Sequence, residues 1–349
     1  MTELTPTELG RIREVLEANG TETAGPLAAT LITGGRSNLT FRLDDGARAW
    51  VLRMPPRSGR TPSAHDVGRE FRVTRALQGT PVPVAEAVVF CTDETVVGGP
   101  FAVAAFVSGA SIQTEDDLLA LDEPTRTAAM TELVRTLAAL HRVDHVAAGL
   151  ADFGRPDGYA QRQLRRWSGQ WELVATPDAE TTDAAAALIA RLQQAMPGRQ
   201  RSTGIVHGDY RVDNTLLQLG PTPRVLAVVD WELSTIGDPV ADVAMMCAYR
   251  HPALDLILGS PTAWTAATLP SAGALAAEYE AEGGAPLEDW AFHLALARFK
   301  IAVIAAGIDH RRRAGSGSGP GFDSAGDAVL PFLSAGLEAA AEIRSTPIG

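Results

Sequence analysis

The sequence has few of the features that mark disulfide-rich, membrane-spanning and secreted proteins. Only one of its 30 basic residues is a lysine, Lys300, and it has two cysteines, Cys91 and Cys247. Two cysteines are too few for a disulfide scaffold, and the spacing between them is not that of metal ligands. The longest apolar run, Ile301 to Ile308, is well short of the ~18 residues that a membrane-spanning helix needs. The first residues lack a basic region and an apolar core, so we expect no signal peptide.

The composition indicates a globular protein of about two domains. The chain has 349 residues, of which 46% are hydrophobic and 21% are charged, enough apolar material for a sizeable core. Its formal net charge of −12 argues against sequence-independent binding to nucleic acid or to an anionic membrane. We therefore expect a cytoplasmic protein without nucleic-acid or membrane partners. The sequence leaves its oligomeric state open.

The pattern of apolar residues changes once along the chain. Residues 39–43 alternate as in a strand, Ala49 to Met54 form the returning strand, and a helix is predicted from about Ser63 to Leu77. Beyond residue 108 the pattern becomes predominantly helical. We predict an α+β fold, with a small β-rich domain containing one helix at 1–107 and a larger α-rich domain at 108–349.

The densest polar cluster in an apolar neighbourhood lies between Ile205 and Asp242. Asp209 and Asn214 are five residues apart, so a loop must bring them together. Asp230 ends an apolar strand, where an unpaired carboxylate is costly to bury. With Asn214 it offers oxygen ligands suited to Mg²⁺, which leaves Asp209 to orient a hydroxyl group and accept its proton. His207 is read equally well as a core histidine or as a residue that orients the loop.

This spacing is typical of phosphoryl transfer. The pattern His207-Gly208-Asp209, then Asn214, Asp230 and the run 237–242, resembles the aminoglycoside phosphotransferase/choline kinase family. The resemblance implies a protein-kinase-like two-lobed fold, ATP as donor, Mg²⁺, and a small-molecule hydroxyl as acceptor. It also implies that Asp209 is the catalytic base and that Asn214 and Asp230 bind Mg²⁺. Two further carboxylates, Asp238 and Asp242, match positions that hold the catalytic loop in shape.

A phosphate anchor is predicted in the first domain. Arg53 ends a strand, and Glu70 shares a helical stripe with Val73 and Leu77, so its carboxylate requires a cation. Most of the superfamily has lysine at the position of Arg53. The run from Trp50 to Pro56 resembles the branch associated with acyl-CoA dehydrogenases, in which arginine occurs there. An exposed salt bridge is the alternative interpretation.

Two further nucleotide contacts are predicted. Ser37 and Asn38 lie between two strands, where a phosphate-covering loop belongs, and could donate hydrogen bonds to phosphate oxygens. The resemblance places adenine against main-chain groups of Ala105 and Val107, at the junction of the two domains. Ordinary turn and strand-end roles remain the alternatives.

The acceptor and the reaction class leave several alternatives open. An aminoglycoside, a hydroxyacyl-CoA or another metabolite could supply the hydroxyl, and the pair Trp167 and Trp171 could line a substrate cleft or belong to the core. The run 310–313 could bind an anionic acceptor or simply end a helix. A non-catalytic nucleotide-binding regulator is the second hypothesis. A protein kinase is the third, although Trp231-Glu232 follows Asp230 instead of Phe-Gly.

Overall fold

The computed structural model describes residues 3–32, 38–57 and 66–343. The chain divides into two compact units. The first comprises Met1–Gly109 and Leu226–Ser234, and the second comprises Ala110–Val225 and Thr235–Gly349. The predicted domain boundary places Asp230 in the domain at 108–349, and the structure groups its segment, Leu226–Ser234, with the first unit.

The first unit consists of one antiparallel sheet and a few helices. Its elements are α1 (Pro6–Ala18), β1 (Ala28–Leu31), β2 (Leu39–Asp44), β3 (Ala49–Met54), α2 (Val67–Leu77), β4 (Ala87–Cys91), α3 (Glu94–Val97) and β5 (Phe101–Ala105). The strand order is β1-β2-β3-β5-β4, and all neighbours are antiparallel.

Strand β3 shows how the sheet separates its core from its functional face. Trp50, Leu52 and Met54 are buried in the apolar core of the unit. Because successive side chains in a strand point to opposite faces, Arg53 projects from the other face. The sheet thereby fixes the Arg53 backbone in a central strand, paired with Thr40 on β2 and Ala102 on β5.

Helix α2 carries the predicted stripe but begins later than predicted. Asp66 is its N-cap, since its side chain accepts the Arg69 amide at 2.9 Å. The helix therefore begins at Val67, and Ser63 lies outside the described residues. Glu70 is buried on the same face as Val73 and Leu77, as predicted.

The second unit is mostly helical. Its helices are α4 (Glu115–Leu119), α5 (Glu123–His141), α6 (Tyr159–Val174), α7 (Ala179–Gln194), α8 (Pro239–Ala248), α9 (Leu254–Leu258), α10 (Ala272–Ala281), α11 (Trp290–Arg313) and α12 (Val329–Ala341). Its short strands are β6 (Gly204–Val206), β7 (Thr215–Gln218) and β9 (Thr235–Gly237), and β8 (Arg224–Val228) crosses the division between the units.

Helix α11 is the central helix of this unit. It packs on α12, α8 and α6. By length and composition it could cross a membrane, with a mean hydropathy of 1.6, but 67% of that apolar stretch is buried inside the fold. Such burial is also found in the core helix of a globular protein.

A two-stranded ladder positions the start of α8. Strands β6 and β9 pair antiparallel, with Ile205 opposite Ile236 and Gly204 opposite Gly237. Because the pair is antiparallel, the residues that precede β6 lie beside those that follow β9, where α8 begins. Gly237 lies so close to the Tyr159 ring that a Cβ atom added to it would be 2.6 Å from Cε2.

We expect Gly237→Ala to lower the free energy of unfolding by roughly 1–3 kcal/mol, because the buried Tyr159 ring must move. Gly169→Ala is the matched control, since Gly169 lies in the interior of α6 and nothing lies within 4 Å of its added Cβ. Alanine favours a helix interior by about 0.5–1 kcal/mol, so the control should be slightly stabilised. Urea unfolding measures both, and equal effects would contradict the packing argument.

Candidate active site

The candidate catalytic loop begins where β6 ends. Its second residue, Gly208, has a φ of 86°, a left-handed conformation that glycine adopts without steric cost. The ring of His207 is fully buried, and its Nδ1 atom accepts the Asp209 amide at 3.3 Å. His207 is therefore both a core histidine and a residue that orients the loop, so the two interpretations of it are compatible.

The loop backbone is fixed by Asp242 in the first turn of α8. Its carboxylate accepts the His207 amide at 2.7 Å and the Gly208 amide at 2.8 Å, and the side chain is fully buried. Burial alone would raise the pKa of Asp242, but the hydrogen bond and charge of His141 outweigh burial and lower it. The loop therefore rests on an ionised, buried carboxylate, in agreement with the role implied for Asp242.

A directed chain of hydrogen bonds supports that carboxylate. His141 Nε2 lies 3.2 Å from Asp242, and His141 Nδ1 lies 2.7 Å from the Tyr279 hydroxyl. An ionised carboxylate only accepts, so His141 Nε2 is the donor to Asp242. The tyrosine oxygen in turn accepts the Ala285 amide at 3.1 Å. Three helices of the second unit, α5, α8 and α10, thus converge on the loop.

Asp238 has a more local role. It is the N-cap of α8 and accepts the Val240 amide at 3.1 Å. It also accepts the Ser202 hydroxyl at 3.1 Å and lies 3.6 Å from His293 Nε2. Asp238 therefore joins the start of α8 to the residues before β6 and to α11.

Asp209 is surrounded by donors. Arg211 Nη2 lies 3.4 Å from its carboxylate, and Asn214 Nδ2 lies 3.1 Å from it. The Tyr249 side chain also hydrogen bonds to it. Burial alone would raise the pKa of Asp209, but Arg211, Tyr249, His207 and Lys300 together lower it. The carboxylate is therefore ionised at neutral pH and acts only as an acceptor.

Asn214 is oriented by the same contacts. Its Nδ2 atom also donates to the Asp209 main-chain oxygen at 2.7 Å. Because both contacts use the amide nitrogen, the amide oxygen faces away from Asp209. Asn214 therefore presents the atom type that a hard cation prefers.

Asp230, in the first unit, ends its strand in a strained conformation. Its φ of 63° and ψ of 60° lie in the left-handed region, which aspartate tolerates better than most residues. The turn that follows is held by Trp231 Nε1, which donates to Val228 at 3.0 Å, and by Arg69, which donates to Ser234. The Asp230 side chain is 37% exposed, so the turn presents a carboxylate that can still bind a ligand.

Arg53 links Glu70 to Asp230, which was predicted in the second domain but groups with the first unit. Its Nη1 atom lies 3.0 Å from Glu70 Oε2, and its Nη2 atom lies 3.3 Å from Asp230 Oδ1. Burial lowers the pKa of Arg53, but the charges of Glu70 and Asp230 outweigh burial and raise it. With 8% of the Glu70 side chain exposed, this is not a surface salt bridge.

The surroundings of Glu70 destabilise its charged form. Burial, together with the nearby Asp230 and Glu232, raises its pKa to about 7, although Arg53 and Asn38 oppose the rise. One guanidinium cannot neutralise three carboxylates. The excess negative charge therefore raises the pKa of Glu70, which is buried. Asn38 Nδ2 donates to Glu70 at 2.9 Å, so the structure places Asn38 against the ion pair.

The remaining predicted nucleotide contacts are only partly described. Ser37 lies outside the described residues. The Ala105 amide donates to the Glu86 carbonyl at 2.8 Å, so its carbonyl is the main-chain group left for a ligand. Phe106 donates to Ala49 at 3.1 Å, and Val107 follows just after the end of β5.

Several residues of the site were not predicted. Arg211 is a local neighbour of Asp209, two residues further along the same loop. Tyr249 and His141 reach Asp209 and Asp242 through tertiary contacts, and nothing in their local sequence distinguishes them. Lys300 donates to the Gly208 carbonyl at 3.4 Å. Its status as the single lysine was a usable signal.

The ambiguous aromatic and basic groups are resolved individually. Trp171 is buried, whereas Trp167 is half-buried with its ring 5.7 Å from Lys300 Nζ. The basic run 310–313 ends α11, where Arg312 and Arg313 both pair with Asp309 at 2.8 Å. That run is therefore mainly a helix end, in agreement with the plainer interpretation.

We expect the Glu70 carboxylate to make stability depend on pH. Its pKa is about 7 when folded and 4.5 in the ordinary state. Between these values the folded chain binds more protons at this site than the unfolded chain, so the free energy of unfolding falls as pH rises. The difference between the wild type and Glu70→Gln should change by roughly 1–3 kcal/mol from pH 4.5 to 7.5. Urea unfolding across that range measures it, with the exposed Glu288→Gln as control; parallel curves would contradict the shift.

We expect Asp242→Asn to lower the free energy of unfolding by roughly 2–4 kcal/mol, since it removes a buried charge that accepts two amides. Tyr279→Phe removes only the outer part of the same chain of hydrogen bonds and should cost about 1 kcal/mol. Urea denaturation ranks the two variants. An Asp242→Asn cost no larger than that of Tyr279→Phe would show that Asp242 does not anchor the loop.

Comparison with known proteins identifies the fold and the family. Residues 28–295 match the model of the phosphotransferase enzyme family. The chain is 35% identical over 303 residues to mouse acyl-CoA dehydrogenase family member 10, covering 86% of this chain but only 28% of the mouse protein. The chain therefore spans well under half of that relative.

Solved structures of similar fold agree with this family assignment. A Ralstonia eutropha structure assigned to the aminoglycoside phosphotransferases has a TM-score of 0.83 and 35% identity, covering 96% of this chain and 99% of that one. Aminoglycoside phosphotransferase APH(4)-Ia has a TM-score of 0.62 and 16% identity, covering 95% and 99%. The prediction of an α+β, protein-kinase-like fold is confirmed. The chain belongs to the phosphotransferase enzyme family.

Proposed function

We propose that this chain transfers the γ-phosphoryl group of ATP to a hydroxyl group of a small molecule. The observation that carries the proposal is the ionised Asp209 carboxylate, held by Asn214, Arg211 and Tyr249 on a loop that Asp242 fixes. Family membership supports the reaction class. The APH(4)-Ia structure, a complex with AMP-PNP and hygromycin B, supports a nucleotide and a small-molecule acceptor.

Asp209 orients the acceptor hydroxyl and takes its proton. As the hydroxyl oxygen bonds to the γ-phosphorus, the bond from that phosphorus to the β–γ bridging oxygen breaks and ADP leaves. The lowered pKa makes Asp209 a weak base, so its main contribution is to hold the hydroxyl in line for attack.

The residues present fit Mg²⁺. Asn214 presents an amide oxygen and Asp230 a part-exposed carboxylate, both hard oxygen ligands. Within the described ranges no group of three or more His, Cys, Asp or Glu residues could hold a metal ion. A site with two protein ligands suits Mg²⁺, which commonly completes its shell with water and nucleotide phosphates. Bound Mg²⁺ would neutralise charge on those phosphates.

The first unit would hold the rest of the nucleotide. Arg53, backed by Glu70, steadies phosphate oxygens, and Asn38 holds Glu70 in place. Ser37 stays a predicted phosphate donor. The Ala105 carbonyl and the Val107 amide would bind the adenine edge.

The acceptor is proposed by class. The relatives' name, acyl-CoA dehydrogenase family member, favours a hydroxyacyl-CoA or another metabolic hydroxyl over an aminoglycoside. A cytoplasmic location and the lack of nucleic-acid or membrane partners stay predictions. A protein-kinase activity stays the least favoured alternative.

One observation favours a second candidate, a nucleotide-binding regulator without catalysis. Arg53 contacts Asp230, the proposed Mg²⁺ ligand, at 3.3 Å, and so competes with the metal. Binding of Mg·ATP without turnover of any acceptor would support this candidate. A mass-shift screen of the full chain against aminoglycosides, hydroxyacyl-CoAs, amino alcohols and sugars distinguishes the two.

We expect Asp209→Asn to lower kcat by about 10²–10⁴-fold on an acceptor found in that screen, because it removes the acceptor of the hydroxyl proton. Its Kd for Mg·ATP, measured by calorimetry, should stay nearly unchanged. Asp230→Ala should instead weaken Mg·ATP binding itself, since it removes a proposed metal ligand.

The isosteric surface variant Glu288→Gln is the control, because Glu288 forms only an exposed pair with Arg201. It should retain both turnover and nucleotide binding. Wild-type turnover in Asp209→Asn and Asp230→Ala together would refute the proposed mechanism.

A further inference from the structure

The single lysine of the chain lies beside the candidate catalytic loop. Every other basic residue is an arginine, so Lys300 is the one place where the chain keeps a compact ammonium. Lys300 projects from α11, and its Nζ atom donates to the Gly208 carbonyl at 3.4 Å, next to Asp209.

The ammonium has unused hydrogen-bonding capacity. It has three donors, and within residues 3–32, 38–57 and 66–343 its one hydrogen bond is the long contact to Gly208. No carboxylate in those ranges forms an ion pair with it, although Asp209 and Asp242 act on it electrostatically. Burial lowers the pKa of Lys300, and Arg166 adds to the effect. A cation in this setting gains from an anionic ligand.

A second cation, Arg166, lies near the same indole ring as Lys300. The Arg166 guanidinium lies 5.4 Å from the centre of the Trp167 ring, and Lys300 Nζ lies 5.7 Å from it. Both are on the helical unit that carries Asp209, whereas the residues proposed for ATP phosphates and adenine belong to the other unit. The charge of Arg166 acts on Lys300, and a negatively charged group bound near both cations would offset their repulsion.

We propose that Lys300 is a specificity-determining residue, which binds an anionic oxygen of the acceptor close to the hydroxyl that Asp209 orients. Arg166 assists it, and Trp167 provides an apolar wall. The inference rests on the proposed function and specifies its substrate class: a hydroxyl compound that also carries a carboxylate or phosphate. A polycationic aminoglycoside would be repelled from this surface.

The single lysine allows a direct test in the unmodified full chain. Protein grown with [13C]lysine gives one set of lysine signals by NMR, all from Lys300. We would titrate hydroxy acids and sugar phosphates, each against its uncharged diol or sugar, and Mg·ATP alone. A saturable shift of the 13Cε signal with an anionic compound, absent with its uncharged counterpart, is the expected result. Hydroxy acids and sugar phosphates distinguish carboxylate from phosphate.

Two results of the NMR titration would overturn the proposal. A shift caused by Mg·ATP alone, with none from the acceptors, would assign Lys300 to the nucleotide and overturn the proposal. No saturable shift with any anionic compound would overturn it as well. Because binding is read without turnover, failure of this proposal is distinguishable from failure of the phosphotransferase proposal, which the Asp209→Asn kinetics test.

Kinetic measurements on Lys300 variants provide a second test of the proposal. Lys300→Met should raise KM for an anionic acceptor at least tenfold while leaving KM for Mg·ATP within about threefold, and Lys300→Arg should restore part of the loss. Arg311→Met, an exposed change in the same helix, is the control. A merely structural role would instead affect charged and uncharged acceptors alike. Thermal unfolding of each variant verifies that it is folded.

Discussion

The site depends on one buried carboxylate. Asp242 is fully buried, and such a charge is tolerated only when hydrogen bonds replace its lost hydration. Two of these bonds come from the backbone amides of His207 and Gly208, so the requirement to satisfy the carboxylate also fixes the path of the loop. The third comes from His141, whose orientation is set by Tyr279. Stability of the helical unit and placement of Asp209 therefore have the same physical origin.

The first unit poses the opposite problem, with too many carboxylates for one cation. Arg53 faces Glu70 and Asp230, and Glu232 adds a third negative charge, which is why the pKa of Glu70 rises to about 7. Arginine suits this position because its planar fork reaches two partners at once, as the Nη1 and Nη2 contacts show. A lysine would present a single point charge there. A cation bound near Asp230 would relieve the same excess of negative charge.

Local sequence predicted much of the fold and part of the site. The stripe shared by Glu70 and Val73 and the alternation along β3 depend on neighbouring residues alone, so the contact between Arg53 and Glu70 could be anticipated. The contacts of Tyr249 and His141 depend on how separate elements pack, and no local pattern carries that information. The start of α2 was predicted at about Ser63, whereas the helix begins at Val67 with Asp66 as its N-cap. Spacing suggested Asp209, Asn214 and Asp230 as a set, and their joint role stays a proposal.

The charge near Asp209 runs against the charge of the whole chain. The formal net charge is −12, yet Arg211, Lys300 and Arg166 all act on the small region around Asp209 and Trp167. Net charge acts on a distant molecule through a screened field, with a decay length of about 8–10 Å at physiological ionic strength. A bound acceptor experiences instead the few groups within contact distance, where burial reduces screening. The acidic composition is therefore a poor guide to the acceptor, and the cations on α6 and α11 carry the relevant information.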